Sequence, residues 1–300
     1  MTNGQRSPAG RTPPARGMEP RLERRTVIRH PLWLTYQWEL EKLTAQFRTR
    51  LALGVALLGP ALFAVGLKFA TDTPADTLFG RWVADSGYAV PLVILGFAGA
   101  WGFPLLVCLI AGDIFSAEDH YRTWTAVLTR SVSRRSVFGG KVLATTTYSA
   151  VAVVLLTVSS LLSGLSSVGH QPLIGLSGNV LTSGQAAGLV IASWASVLPA
   201  VLSFATLGVL VSVATRNSLA GILLPTVVGL LLQLLLLISG PLDAVRPYLP
   251  GASFTAWLGL FADPAFPIPM LIGIGCSAVY SAVLLFAAWM LFRHRDFPGA

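Results

Sequence analysis

GDIFSAEDHYRTWTAVLTRSVSRRSVFGGK, residues Gly112 to Lys141, is a long polar stretch set between two apolar runs. It holds eight of the 34 charged residues (21 Lys+Arg plus 13 Asp+Glu): Asp113, Glu118, Asp119, Arg122, Arg130, Arg134, Arg135 and Lys141. Ala117, Tyr121, Trp124 and Leu128 recur at helical spacing, which puts them on one face. Asp119, Arg122 and Arg130 fall on another. Glu118 stands four residues before Arg122, the favourable orientation for a helical ion pair. The pattern predicts a short amphipathic helix lying at a membrane surface.

Composition sets the class of the remainder. The 300 residues are 54% hydrophobic and 11% charged, whereas charge is about a quarter of an ordinary soluble domain. Mean hydropathy is +0.69, and several apolar runs approach the ~20 residues that a membrane helix needs. The expected fold class is an all-α polytopic membrane protein. Six spans are read at 51–70, 89–111, 142–164, 186–214, 219–239 and 268–292, forming one membrane domain over 51–292. The fourth is long enough to tilt or to be interrupted near Pro199.

Around the spans the chain is polar. Residues 1–31 form a basic Pro/Gly-containing tail, read as disordered and as a topology signal that contacts anionic lipid rather than nucleic acid. Residues 32–50 read as an interfacial connecting helix. Tyr36, Leu40, Leu43 and Phe47 lie on its apolar face, extended by Trp33, and Glu39, Glu41, Lys42, Arg48 and Arg50 on its polar side. Residues 293–300 are a short tail. Lys and Arg number ten in the first 50 residues, five in 112–141, one at Arg216 and two at Arg293 and Arg295, which makes 18 of 21. Lys68, Arg81 and Arg246 are the other three. Positive residues collect on the cytoplasmic side, so both termini are expected there. On the opposite side, residues 240–267 carry an apolar patch of Phe254, Trp257, Leu258, Leu260 and Phe261 between prolines. One reading of it is an external loop lying on the membrane.

Phe115, Glu118, Thr123, Leu128, Val132, Ser133, Arg134, Gly140 and Lys141 resemble, in order and spacing, the signature loop of ABC-2 type permeases, the membrane subunits of ATP-binding-cassette exporters. The connecting helix adds to that resemblance. Two positions depart from the family pattern: Arg122 stands where the family often has Gly, and Ser131 where it often has Pro. The resemblance implies that this loop contains a coupling helix seated in a groove of a separate ATPase subunit. Glu118, Tyr121, Thr123, Trp124, Leu128, Arg134 and Lys141 are then the candidate coupling residues, with Glu118 and Thr123 making the contact and Arg134 and Lys141 at helix ends and headgroups. It also implies a homodimer, or a heterodimer with a related permease, through the first and fifth spans. Gly59, beside Gly54 and Gly66, and Gln233 are candidates for that interface, and an intrachain helix contact explains them equally. For residues 240–267 the resemblance implies a re-entrant hairpin, a second reading beside the external loop. Trp101, Phe103, Trp194 and Phe204 are aromatic candidates for a lipophilic substrate path, against the plainer reading of packing.

The spans lack Asp, Glu, Arg and His at their centres, where ion-coupled transporters need such groups. Energy for transport must then come from elsewhere. Gly139-Gly140-Lys141 is no phosphate loop, because Arg135 occupies the position of its first glycine and Val142 that of the magnesium-binding hydroxyl. The chain is accordingly expected to be no enzyme and to hold no cofactor, with ATP and Mg on a partner ATPase. Gly175-Leu176-Ser177-Gly178 lacks a histidine base in a later span, and Cys108 and Cys276 are too few for a metal site. The expected function is efflux of a lipophilic or amphipathic substrate across a bacterial cytoplasmic membrane. The alternative is an ATPase-associated assembly or sensory subunit without a transported substrate.

Overall fold

The computed structural model describes residues 31–70, 77–124, 133–238, 240 and 243–296. The basic tail through residue 30 and Leu128 lie outside them. Nine α-helices are described: α1 Pro31–Ala45, α2 Phe47–Phe69, α3 Ala89–Phe97, α4 Phe103–Ala111, α5 Ser116–His120, α6 Arg134–Ser167, α7 Ser183–Thr215, α8 Ser218–Leu237 and α9 Ile268–Arg293. Five of them, α2, α6, α7, α8 and α9, are each long and apolar enough to cross a membrane. The expected second span, 89–111, is helical throughout but is not one α-helix. A π-helical turn at Ala98–Gly102 divides α3 from α4. Two of its five residues, Gly99 and Gly102, carry no side chain, and one face is occupied. A Cβ on Gly99 would stand 2.9 Å from that of Phe254.

Helix α7 is the centre of the bundle. In its apolar window 67% of the residues are buried, against 11–33% for the other four long helices. It packs on α9, α8, α4 and α6 and runs through Pro199 unbroken. Its buried hydroxyls donate to its own carbonyls, Ser193 to Leu189 (2.8 Å), Ser203 to Ala200 (2.7 Å) and Thr206 to Ser203 (2.8 Å). They are thereby satisfied in surroundings without water. Thr182 opens α7 with a capping box to Gln185. Arg216, at φ +56°, closes it in the left-handed conformation. Asn217 Oδ1 then accepts the Leu219 and Ala220 amides to open α8. Arg216 and Asn217 thus cap both helices at this turn.

Within 240–267, the segment Pro250–Phe261 packs against the helices. Its 3-10 turns, Pro250–Phe254 and Ala256–Phe261, pack among α7, α8, α9 and the π turn. Phe254 is buried and stacks on Phe103 and Phe204, at centroid distances of 6.1 and 5.6 Å. Phe204 lies well inside α7, eleven residues before its last, Thr215. The backbone of the segment finds partners within the bundle: Gln233 Nε2 donates to the Gly251 carbonyl (3.4 Å), and the Trp257 indole to that of Phe254 (2.8 Å). A two-stranded hairpin, β1 Leu173–Ile174 with β2 Val180–Leu181, covers its end. The Leu176 amide reaches the Phe261 carbonyl at 3.0 Å, and Ser177 Oγ accepts from the Asp263 amide. Ser177, in the Gly-Leu-Ser-Gly motif, thus bridges loops.

The connecting helix differs from its expected form. It ends at Ala45, Gln46 is extended, and residues 47–50 belong to α2. Its buried residues are Thr35, Glu39 and Leu43, whereas Phe47 and Trp33 are exposed. Leu43 of the expected apolar face is buried and Tyr36 and Leu40 are half-buried, but Glu39 of the expected polar side also faces inward, toward the flat seat that α6 offers. A Cβ on Gly140 would come within 2.9 Å of Thr35 Cβ and of the Tyr36 amide nitrogen. Gly140→Val therefore separates α1 from α6. We expect a loss of about 1–3 kcal/mol, read as a lower unfolding midpoint in detergent. Gly275→Val in α9, where a Cβ meets nothing within 4 Å, is the neutral control.

Candidate functional site

At one end of the bundle the segments richest in Lys and Arg meet. Residues 112–124 pack there with α1, the start of α6, the α7–α8 turn and the end of α9. Lys141, in the first turns of α6, is fully buried. Its ammonium donates to Glu39 Oε1 of α1 (2.8 Å), to Glu118 Oε1 of α5 (3.1 Å) and to the Ile114 carbonyl (2.9 Å). Those three acceptors match the three donors of a lysine. Lys42 adds a second cation, 2.5 Å from Glu118 and 3.7 Å from the other oxygen of Glu39. Two cations thus face two anions, with the Phe115 and Trp124 rings 5.7 and 5.9 Å from the Lys141 ammonium. Burial works against the charged form of Glu118, but Lys141 and Lys42 outweigh it and bring its pKa down from 4.5 to about 2. The ionised pair is stabilising above the ordinary carboxylate range, and that contribution fades as the pH falls from about 4.5 toward 2.

A second set of contacts lies alongside. Asp113 pairs with Arg48 of α2 and accepts from Ser218 of α8. The Phe115 and Ser116 amides donate to Ser212 Oγ of α7, at 3.2 and 3.0 Å. Gly112 and Gly221 touch backbone to backbone, so that a Cβ on either would collide with the other's carbonyl. An open cleft of about 820 Å³ follows this seam, lined in part by Lys42, Arg48, Asp119, His120, Tyr121 and Arg216.

The candidate coupling residues separate into two groups. Glu118 and Trp124 are buried with Lys141, and Tyr121 is 72% exposed. Lys141 therefore is not at headgroups, and Glu118 is not a surface contact: both are spent on the internal cluster. Thr123 donates its hydroxyl to Glu118, and Arg134 donates to the Arg293 and Arg295 carbonyls at the end of the chain. Nor does the expected face through Ala117, Tyr121 and Trp124 survive as one helix. Helix α5 stops at His120, and Arg122 takes φ +53°. This turn sends Trp124 inward against Phe115 and Phe292, and Glu118 pairs with the two lysines instead of Arg122. Arg122 thus holds a backbone conformation natural to glycine, the residue the related loop often carries at that position.

Among the other candidates, Phe103, Trp194 and Phe204 are buried in the core. Phe103 meets Trp194 edge-on at 6.1 Å. They pack rather than line a path, and of the four aromatics only Trp101 is exposed. It borders an apolar groove of about 430 Å³ together with Gly59, Pro60, Phe63 and Phe97. Gln233 is engaged within the chain by its bond to Gly251.

Sequence reasoning missed Glu39 and Asp113 as site residues. The one signal for Glu39 was its acidity on a helix that precedes a buried lysine by a hundred residues, which no local pattern connects. Two outcomes are expected of this geometry. Lys141→Met leaves buried carboxylates without their central partner and should cost about 3–5 kcal/mol in unfolding free energy. Arg122→Gly relieves a left-handed residue and should raise stability by about 1 kcal/mol, read as an increase in unfolding midpoint.

A family model described as ABC-2 family transporter protein matches residues 36–233. No curated relative matches the chain. The matched region begins in α1, ends in α8 and includes the whole of the Lys141 cluster. With five helices apolar enough to span a membrane and a match over most of its length, the chain belongs to the ABC-2 transporter family, as a multi-pass membrane permease of the ATP-binding-cassette type that is not itself the ATPase.

Proposed function

We propose that this permease is the membrane half of an exporter, driven by a separate ATPase subunit that docks at the charged end. The observation that carries the reading is the arrangement around Lys141. One buried ion cluster fastens α1, α5 and α6 to each other, while His120, Tyr121 and Arg122 stay exposed beside the cleft. A push on those exposed residues would reach three helices through short, charge-assisted bonds instead of being lost in a slack loop. ATP and Mg would be held wholly by the ATPase subunit. ATP binding would close the ATPase pair, and residues 116–124 would carry that motion to the spans.

The same reading places the charged end in the cytoplasm, since 18 of the 21 Lys and Arg residues lie in segments assigned to that side. It counts six crossings, with 89–111 spanning as α3, π turn and α4. A bacterial cytoplasmic membrane is the proposed location, with both termini inside. Dimer formation, with a second copy or a related permease, would use α2 and α8. Gly54, Gly59 and Gly66 of α2 have open space around them, and α8 buries only Gly221, Pro225 and Gly229. The cargo would be lipophilic or amphipathic, because the groove beside Trp101 is almost wholly apolar. Phe103, Trp194 and Phe204 are left out of that path because they form the core.

Affinity purification from native membrane tests the ATPase partnership. A stoichiometric P-loop ATPase should accompany the chain, and hydrolysis should vanish on substitution of that subunit's Walker lysine. Glu118→Lys would crowd a third cation against Lys42 and Lys141. It should leave the chain in the membrane while uncoupling hydrolysis from transport. A wild-type chain that purifies alone under several mild detergents would contradict this reading, whereas an ATPase partner whose loss changes the efflux of no compound would favour the assembly or sensory subunit.

A further inference from the structure

Residues 292–295 are built into the same charged end. Arg295, two residues past α9, is 6% exposed. Its guanidinium pairs with Asp119 in the last turn of α5 and lies over the Trp124 ring at 5.6 Å. The Trp124 indole donates to the same Asp119 oxygen at 2.9 Å. From the other side, Arg134 at the start of α6 grips the tail backbone, donating to the carbonyls of Arg293 (3.2 Å) and Arg295 (2.9 Å). Phe292, fully buried, completes the contact through Phe115, Phe138 and Trp124. Two charged contacts and an aromatic cluster therefore bind residues 292–295 to both ends of the 112–141 stretch. The Lys141 cluster holds Glu118, and this clasp holds the next residue, Asp119, and Trp124 beyond the Arg122 turn.

We propose that Arg295 is a positioning residue for the coupling segment. It fixes Asp119 and Trp124 so that the exposed turn His120–Arg122 points away from the bundle, and it links that turn to α9. The charged end would then drive the last helix directly, in addition to α1 and α6. The matched family region stops at residue 233, so this contact comes from a part of the chain outside it. The inference rests on the docking role proposed above for the exposed turn.

The test uses the full-length permease with its co-purified ATPase subunit in lipid nanodiscs. Arg295→Ala should raise amide hydrogen exchange across 116–124 by about tenfold or more, the worth of one charge-assisted hydrogen bond. It should leave exchange in α8 unchanged and reduce retention of the ATPase subunit. Arg295→Lys should recover part of both effects. Arg295→Asp combined with Asp119→Arg should recover more than either single change, which also separates lost contact from lost folding. Arg134→Gln, which leaves the Arg295–Asp119 pair in place, should loosen the tail in the same direction but less. Unchanged exchange over 116–124 in Arg295→Ala overturns the proposal. So does increased exchange with full ATPase retention, provided that Tyr121→Glu on the exposed turn does weaken retention. If Tyr121→Glu is also without effect, the docking role itself fails and takes this proposal with it.

Discussion

Two segments far apart in the sequence, one at Glu39 and one at 114–118, converge on one ammonium. Glu39, Glu118 and the Ile114 carbonyl surround Lys141 at 2.8 to 3.1 Å. A lysine with no exposed surface is costly unless every donor is used and its charge is balanced. Here both conditions hold, and meeting them fixes the geometry of the charged end. Helix α1 must lie with Glu39 inward. Helix α5 must present Glu118 to the same point. The chain between α4 and α5 must bring the Ile114 carbonyl to the ammonium. Gly140, immediately before the lysine, lets α1 come close enough for the bond to form.

The remaining architecture follows from apolar packing around α7. This helix is buried along most of its length and keeps the hydroxyls of Ser193, Ser203 and Thr206 on its own backbone. The segment 250–261 wedges Phe254 between Phe103 and Phe204, and the π turn in 89–111 sits against it. The outer faces of α2 and α8 are left open. The molecule thus combines a rigid central packing with a charged end tied by specific bonds, and the two are joined where Ser212 of α7 receives the Phe115 and Ser116 amides.

Much of this was legible in the sequence because hydropathy is local. The long apolar helices stand where their runs predict. The 112–141 stretch announced its importance through composition and spacing. Its internal geometry was hidden because helical periodicity assumes a continuous helix, and the left-handed turn at Arg122 breaks it. Glu39 was read as solvated because on a lone helix a glutamate belongs outside. Only the lysine from α6 reverses that preference, and a partner about a hundred residues away leaves no local trace. Phe103, Trp194 and Phe204 read most plainly as packing, but a path also stood as a reading, since an aromatic side chain on an apolar helix carries no sign of which face is covered. The clasp at Arg295 was invisible for the same reason as Glu39.

Site-specific photocrosslinking in intact membranes tests the central claim most directly, that the tied charged end is where an ATPase subunit sits. A benzophenone amino acid replacing Tyr121 would lie at the exposed turn, and one replacing Leu62, which is 71% exposed on α2, would report on the apolar surface. The account predicts an adduct with a P-loop ATPase from position 121 and none from position 62. Adducts from position 121 with lipid alone, or ATPase adducts equally from both positions, would contradict it.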